Sequence, residues 1–244
     1  MHEFKRTTSR AAVVMLGLAG TAAHAAPVAV GPALGGDGDG INTRWVRAAV
    51  SPHSIADAIS VLASAGESVS FSAPQIDFRD FSGGTETAGI ESLSDLPDPF
   101  TTIQGGVAQD DPIFAVRYSG FLNVAVSGDY SFRAITDDGF SLVLGGEQIS
   151  AFDGDRSPAA TDVSLTLDAG LYSLEMIGWE QVGQFVDELS WLRPGESDFA
   201  VIGTAAGGRA LFTTAPSAVP VPAALPLLGS ALVGLGLLRR RRKL

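Results

Sequence analysis

The sequence predicts an all-β fold, an antiparallel β-sandwich or barrel carrying one short helix, with a hydrophobic segment at each end of the chain. Three observations lead there. Between Phe114 and Arg193 apolar and polar residues alternate with a period of two, the signature of strands buried on one face. The alternating runs are separated by short glycine-bearing connections of the kind that join paired strands. There is no cysteine among the 244 residues, so neither disulfides nor thiolate metal sites are available and packing alone must hold the fold.

Taken in order, the chain opens with Lys5, Arg6 and Arg10, continues through an apolar run from Ala11 to Ala23, and reaches Ala23-His24-Ala25. A basic start, a short apolar stretch and small residues two positions apart describe a secretion signal, 1–25, with Ala23 and Ala25 filling the shallow pockets of the peptidase. Residues 26–38, rich in Ala, Gly and Pro, are expected to be a flexible lead-in. Asn42 to Ala48 alternates as a strand would. Ser51-Pro52 followed by apolar residues at 55, 58, 59 and 62 predicts a short helix near 52–63, with Ser51 as cap and Pro52 in the first turn. Phe81 to Gln109 reads as a long irregular connection.

The regular part follows. Tyr130, Phe132 and Ala134 share one face, as do Phe140, Leu142 and Leu144, then Val163, Leu165 and Leu167, then Tyr172, Leu174 and Met176. Ser127-Gly128, Asp137-Asp138-Gly139, Gly145-Gly146 and Asp168-Ala169-Gly170 connect them. Trp191, in Leu189-Ser190-Trp191, is expected to point inward.

Near the end, 218–238 is almost wholly apolar and is followed at once by Arg239, Arg240, Arg241, Arg242 and Lys243. As a helix, 219–238 would span roughly 30 Å, the thickness of a bilayer's hydrocarbon core. The basic cluster is expected to stay on the cytoplasmic side and act as a stop, which puts the preceding domain outside the inner membrane.

Without these two ends the composition sharpens. The leader holds three basic residues and one acidic, the tail five basic, which leaves eight basic residues against 26 acidic and a net charge near −18. Such a surface repels phosphate backbones and excludes DNA and RNA as partners. It favours divalent cations, and it also serves plain solubility outside the cell. His53 is the one histidine left after the leader, so a multi-histidine zinc centre is excluded.

Two resemblances become specific on these residues. Val219-Pro220-Val221-Pro222-Ala223, the glycine-bearing apolar run and the terminal arginines resemble the VPLPA variant of PEP-CTERM sorting signals of Gram-negative bacteria, with Val221 where that family usually shows Leu. The resemblance implies that an exosortase reads 218–244 and cuts near Val219 to Ala223, and that the protein belongs to exopolysaccharide or biofilm surfaces. Phe114 to Leu122, Val126 to Phe132, Thr136-Asp137-Asp138-Gly139-Phe140 to Gly146, and Leu167 to Glu175 with Trp191 beyond are similar in order and spacing to the central and closing strands of the PA14 family. That resemblance spans 39–195, leaves 196–217 as a linker, and implies a non-catalytic β-sandwich that binds glycans or mediates adhesion.

In the lectin-like branch of that family a paired-aspartate loop holds calcium, and the calcium binds sugar hydroxyls. Carried to this chain, the resemblance nominates Asp137 and Asp138 as calcium ligands and the loop from Trp179 to Gln184 as the second wall, with Glu180, Gln181 and Gln184 where the branch has an asparagine. The chemistry is sound, because adjacent carboxylates repel and a hard cation relieves that repulsion. A turn that merely shapes a hairpin is the alternative. Trp179, between a glycine and a polar loop, is the best exposed aromatic candidate for stacking on a sugar, and Trp179, Glu180 and Gln184 form the expected ligand-binding set. Asp37-Gly38-Asp39-Gly40-Ile41-Asn42 imitates part of a calcium loop without the downstream bidentate glutamate, and Asp153-Gly154-Asp155 is a weaker imitation.

The expectation is therefore an exported surface or matrix protein whose domain binds glycans, with possible calcium and no enzymatic activity. Two other functions compete: a purely structural envelope or biofilm matrix protein, and a polysaccharide hydrolase using a carboxylate pair such as Asp153 and Glu180.

Overall fold

The computed structural model describes residues 25–79, 113–181, 183 and 185–215. The leader with Ala23, residue Gln184, the long connection after Arg79, and the whole of 218–244, including Val219 to Ala223 and Arg239 to Lys243, lie outside the described residues. Ala25 is described and exposed. Among the described residues no helix is long and apolar enough to cross a membrane.

The described chain forms twelve strands and one helix. They are β1 (Ile41–Arg47), α1 (Ile55–Ala63), β2 (Ser68–Ala73), β3 (Asp77–Arg79), β4 (Phe114–Val124), β5 (Gly128–Asp137), β6 (Phe140–Leu144), β7 (Glu147–Phe152), β8 (Ala159–Leu167), β9 (Gly170–Glu180), β10 (Val186–Leu192), β11 (Ala200–Val201) and β12 (Leu211–Phe212). One antiparallel sheet runs β2-β1-β4-β9-β6-β7, with β12 continuing the β1 side of β4. The other runs β11-β10-β5-β8, with β3 added on β10. The longest pairing joins β4 to β9 in unbroken register from Phe114↔Glu180 to Val124↔Gly170, so these two strands form the spine of the larger sheet.

The alternation expected from sequence places the core between the sheets. Tyr130, Phe132 and Ala134 from β5 and Leu142, Leu144, Tyr172, Leu174 and Met176 from β6 and β9 are all buried in one cluster. Trp45 anchors one end, with ring centroids 4.6 Å from Phe114, 5.2 Å from Phe185 and 5.6 Å from Phe78. Trp191 anchors the other, 5.5 Å from Tyr130 and 6.2 Å from Phe132, and its indole N–H donates to the Gly207 carbonyl at 2.7 Å. Val163 and Leu165 are half-buried because β8 is an edge strand. At the β6–β7 hairpin Gly145 and Gly146 both take positive φ, 57° and 87°, as a two-residue mirror-image turn requires.

Three expectations shift. The helix begins at Ile55, capped by Ser54 and not by Ser51: the Ser54 hydroxyl accepts from Asp57 N–H at 3.2 Å and donates to the Asp57 carboxylate at 2.8 Å. Pro52 is buried just before the helix, and Ala58 and Leu62 face the sheet. The lead-in 26–38 is laid along the domain, because Val28 N–H donates to Gly145 O, Val30 N–H to Leu171 O, and Leu171 N–H to Gly31 O. The stretch read as a linker contributes β11 and β12: Ile202 and Leu211 are buried in the core, and Ala210 O accepts from Asn123 N–H at 2.8 Å. Apolar residues spaced too sparsely to announce strands can still complete a sheet whose ladder is already formed.

Candidate metal centre at the paired-aspartate turn

The turn between β5 and β6 is held from three sides. Its first side is the spine strand β9, whose Trp179 carbonyl accepts from Asp138 N–H at 2.9 Å. Its second is the end of β5, where the Thr136 hydroxyl donates to the Asp138 carbonyl at 3.1 Å. Its third is the β7–β8 loop: Arg156 N–H donates to Asp138 Oδ1 at 3.1 Å, and the Arg156 Nε–H donates to the Asp138 carbonyl at 3.3 Å. Gln181 N–H, just past β9, donates to Asp138 Oδ2 at 3.0 Å. The peptide joining Asp137 to Asp138 is cis.

Glu180, the last residue of β9, completes the group. Asp137, Asp138 and Glu180 are all buried, and one carboxylate oxygen from each lies within 4.8 Å of the others. Oxygens sharing one Ca²⁺ at about 2.4 Å can be no more than about 4.8 Å apart. The spacing and the hard, anionic donors therefore fit a calcium ion. Burial raises the Asp138 pKa, and the two backbone N–H groups on its oxygens oppose that rise.

A fourth carboxyl lies deeper. Asp187 on β10 is fully enclosed, with Oδ2 accepting from the Tyr118 hydroxyl at 3.0 Å, and Gly178 opposite has no Cβ because one there would collide with the Asp187 carboxyl. Burial pushes the Asp187 pKa well above the carboxylate range, while Tyr118 and Arg156 pull it down and Asp137 adds to the rise. The folded state then keeps a proton that the unfolded chain releases, so this group subtracts stability as pH rises from the ordinary carboxylate range upward.

The structure brings together Asp137, Asp138 and Glu180, and it corrects the reading of Trp179. That indole is fully buried and cannot stack on a ligand. Its ring lies against Gly139 on one side and in a small second core with Val46, Ala58, Leu62, Ala115 and Ile177, between the outer face of the larger sheet and α1. A glycine before it and a polar loop after it suggested exposure, but the helix that covers it comes from far upstream. Phe152 at the end of β7 is the aromatic ring beside the turn that keeps an exposed part, 37 % of its surface.

The other acidic runs have local duties. Asp39 accepts from Thr213 N–H and the Thr213 hydroxyl, both at 2.7 Å. Asp153 Oδ1 accepts from Ile55 N–H at 2.7 Å, at the first turn of α1, and Asp155 Oδ2 sits 2.9 Å from His53 Nδ1. Asp153 Oδ1 thus serves the helix start, while Glu180 is buried at the end of β9. Sequence reasoning missed Arg156. The available signal was its rarity, as one of eight basic residues between leader and tail, next to Asp153-Gly154-Asp155.

No protein-family model matches the sequence, and no curated protein matches it. Solved structures do. The PA14 domain of the MpAFP antifreeze protein superposes with a TM-score of 0.55 at 20 % identity, covering 76 % of this chain and 96 % of that domain. The PA14 sugar-binding domain from an RTX adhesin superposes with a TM-score of 0.51 at 18 % identity, covering 68 % of this chain and 95 % of that domain. The chain has a PA14-like fold.

Proposed function

We propose that this chain is a non-catalytic glycan-binding or adhesion module of an exported cell-surface or matrix protein, and that it works through a Ca²⁺ ion held by Asp137, Asp138 and Glu180. The observation that carries the reading is the carboxylate group at the paired-aspartate turn, three acids within mutual ligand distance on a strand-end scaffold fixed by backbone hydrogen bonds. A bound Ca²⁺ would supply open positions for two neighbouring sugar hydroxyls. The protein's own part is to hold the acids: Gln181 and Arg156 N–H groups fix both Asp138 oxygens, and the β5–β10 pairing of Asp137 with Val186 fixes the strand end. One of the solved structures sharing the fold is a sugar-binding domain of an adhesin, which supports the glycan part of the reading.

A titration with cell-surface polysaccharides tests it. Saturable binding is expected in millimolar Ca²⁺, abolished by a chelator and weakened at least about tenfold in Asp137→Asn, since a charged ligand oxygen is replaced by a neutral one. Silence across a broad glycan panel, with no calorimetric Ca²⁺ signal, would favour a purely structural envelope or biofilm matrix protein.

Delivery belongs to the same proposal. The leader 1–25 would export the chain, and 218–244 would hold it in the inner membrane, domain outside, until an exosortase cuts near Val219 to Ala223 and releases it to the surface. Mass spectrometry of the mature protein is expected to find its first residue after Ala25 and its last near Val219 to Ala223. An intact tail ending at Leu244 would turn the span into a permanent anchor and end the exosortase reading.

A further inference from the structure

Arg156 sits on the β7–β8 loop with its guanidinium turned into the back of the acidic turn. Nη2 donates to the Thr136 hydroxyl at 2.7 Å, Nη1 to the Thr161 hydroxyl at 2.8 Å, and Nε to the Asp138 carbonyl. The guanidinium carbon lies 4.5 Å from the centre of the Phe152 ring and 5.5 Å from that of Phe140. Its loop is tied down as well, by Asp153 on Ile55 N–H and by Asp155 against His53. The positive charge is therefore fixed in place and partly withdrawn from water; burial lowers the Arg156 pKa, and the charge of Asp137 opposes that fall.

A fixed cation at the back of the acidic turn, bonded to the Asp138 carbonyl and within electrostatic reach of Asp137, has two consequences for the cluster's carboxylates. Without a metal, it offsets part of their mutual repulsion, which is strongest where water is excluded. With a metal arriving, the same charge repels it. We propose that Arg156 is the resident counter-cation of the cluster, and that it lowers the affinity with which Asp137, Asp138 and Glu180 take a divalent cation. It is a positioning and affinity-setting residue and not a ligand. The inference rests on the calcium reading above, and its test separates the two.

The experiment measures Ca²⁺ binding by calorimetry, and thermal unfolding with and without Ca²⁺, on the full chain and on Arg156→Gln, Arg156→Met and Arg156→Lys. Met keeps an unbranched stem against Phe152 and Phe140, so it removes the charge with the least loss of packing. The neutral variants are expected to bind Ca²⁺ on the order of tenfold tighter than the parent, and Arg156→Lys within about threefold of it. The neutral variants are also expected to melt lower without metal and to gain more from Ca²⁺ than the parent does. A silent parent with binding in the neutral variants supports the proposal in its strongest form.

If Arg156 serves only as scaffold, all three variants bind more weakly or unchanged while the parent binds, and the proposal fails with the calcium reading intact. If no protein binds, neutral variants included, the calcium reading fails and takes the proposal with it. Failure of both neutral variants to fold even in millimolar Ca²⁺ also overturns it, because the metal should then replace the missing charge.

Discussion

Replacing Trp179 with alanine is expected to destabilise the domain by about 3–5 kcal/mol, the cost of emptying a fully enclosed aromatic site. The indole is the largest member of the second core, where it joins α1 through Ala58 and Leu62 to the outer face of β4 and β9. Its loss leaves a cavity that α1 and the sheet cannot close together, because Trp179 also supports Gly139 from beneath. The melting temperature should fall by roughly 10 °C, given about 2–4 °C per kcal/mol for a domain of this size. Ca²⁺ affinity should fall with it, since the adjacent Trp179 carbonyl positions Asp138. Chemical denaturation with calorimetry reads both. A loss below about 1 kcal/mol would mean that the ring is exposed, as the sequence suggested, and available to a ligand.

The second large effect is expected from a single methyl group. In Gly139→Ala the new Cβ would overlap the edge of the Trp179 ring and the Phe152 carbonyl, one a rigid buried group and the other backbone. Neither can swing aside, so the turn itself must move. Overpacking of this kind costs about 1–3 kcal/mol. Because Gly139 follows Asp138 directly, displacement of the turn should also disperse the carboxylates and weaken Ca²⁺ binding. Gly154→Ala is the matched control: its Cβ would meet only the Phe152 ring, at 3.7 Å, an ordinary contact. That variant should stay within about 0.5 kcal/mol of the parent. Equal behaviour of the two variants in denaturant would contradict the packing seen beneath the turn.

Both effects concern residues whose role was only half legible in the sequence. Gly139 sits in one of the glycine-bearing connections expected from sequence, yet the positive-φ glycines of the β6–β7 hairpin are Gly145 and Gly146; Gly139 is needed for lack of a side chain. Local backbone rules can place a glycine in a turn. They cannot say which ring will lie under it. Trp179 failed for a related reason: its neighbours in sequence are polar or small, and the atoms that bury it come from β1, β4 and α1. Arg156 failed because its partners Thr136 and Asp138 lie 20 and 18 residues away across a hairpin, a distance no short motif spans.

The core strands succeeded where the site did not. Tyr130, Phe132 and Ala134, or Tyr172, Leu174 and Met176, point inward because a period of two sends alternate side chains to opposite faces whatever the rest of the chain does. The same logic weakens on β9 beyond Met176, where Ile177, Gly178, Trp179 and Glu180 are all buried. There the outer face is covered too, by α1 in part, and alternation no longer separates inside from outside.

By itself, then, the sequence determined the class of fold, the inward face of the central strands, the Gly145-Gly146 hairpin and the acidic pair in a turn, since each depends on residues close together along the chain. That the connections at Gly128, Asp137-Asp138-Gly139 and Asp168-Ala169-Gly170 lead from one sheet to the other and do not join paired strands was decided by the tertiary structure. The tertiary structure alone decided that Glu180 joins that pair, that Trp179 is floor and not platform, that 200–212 complete the sheets, and that a lone arginine faces the acids. These are consequences of where separate strands meet, and burial and electrostatic fields act through space without regard to the order of residues in the chain.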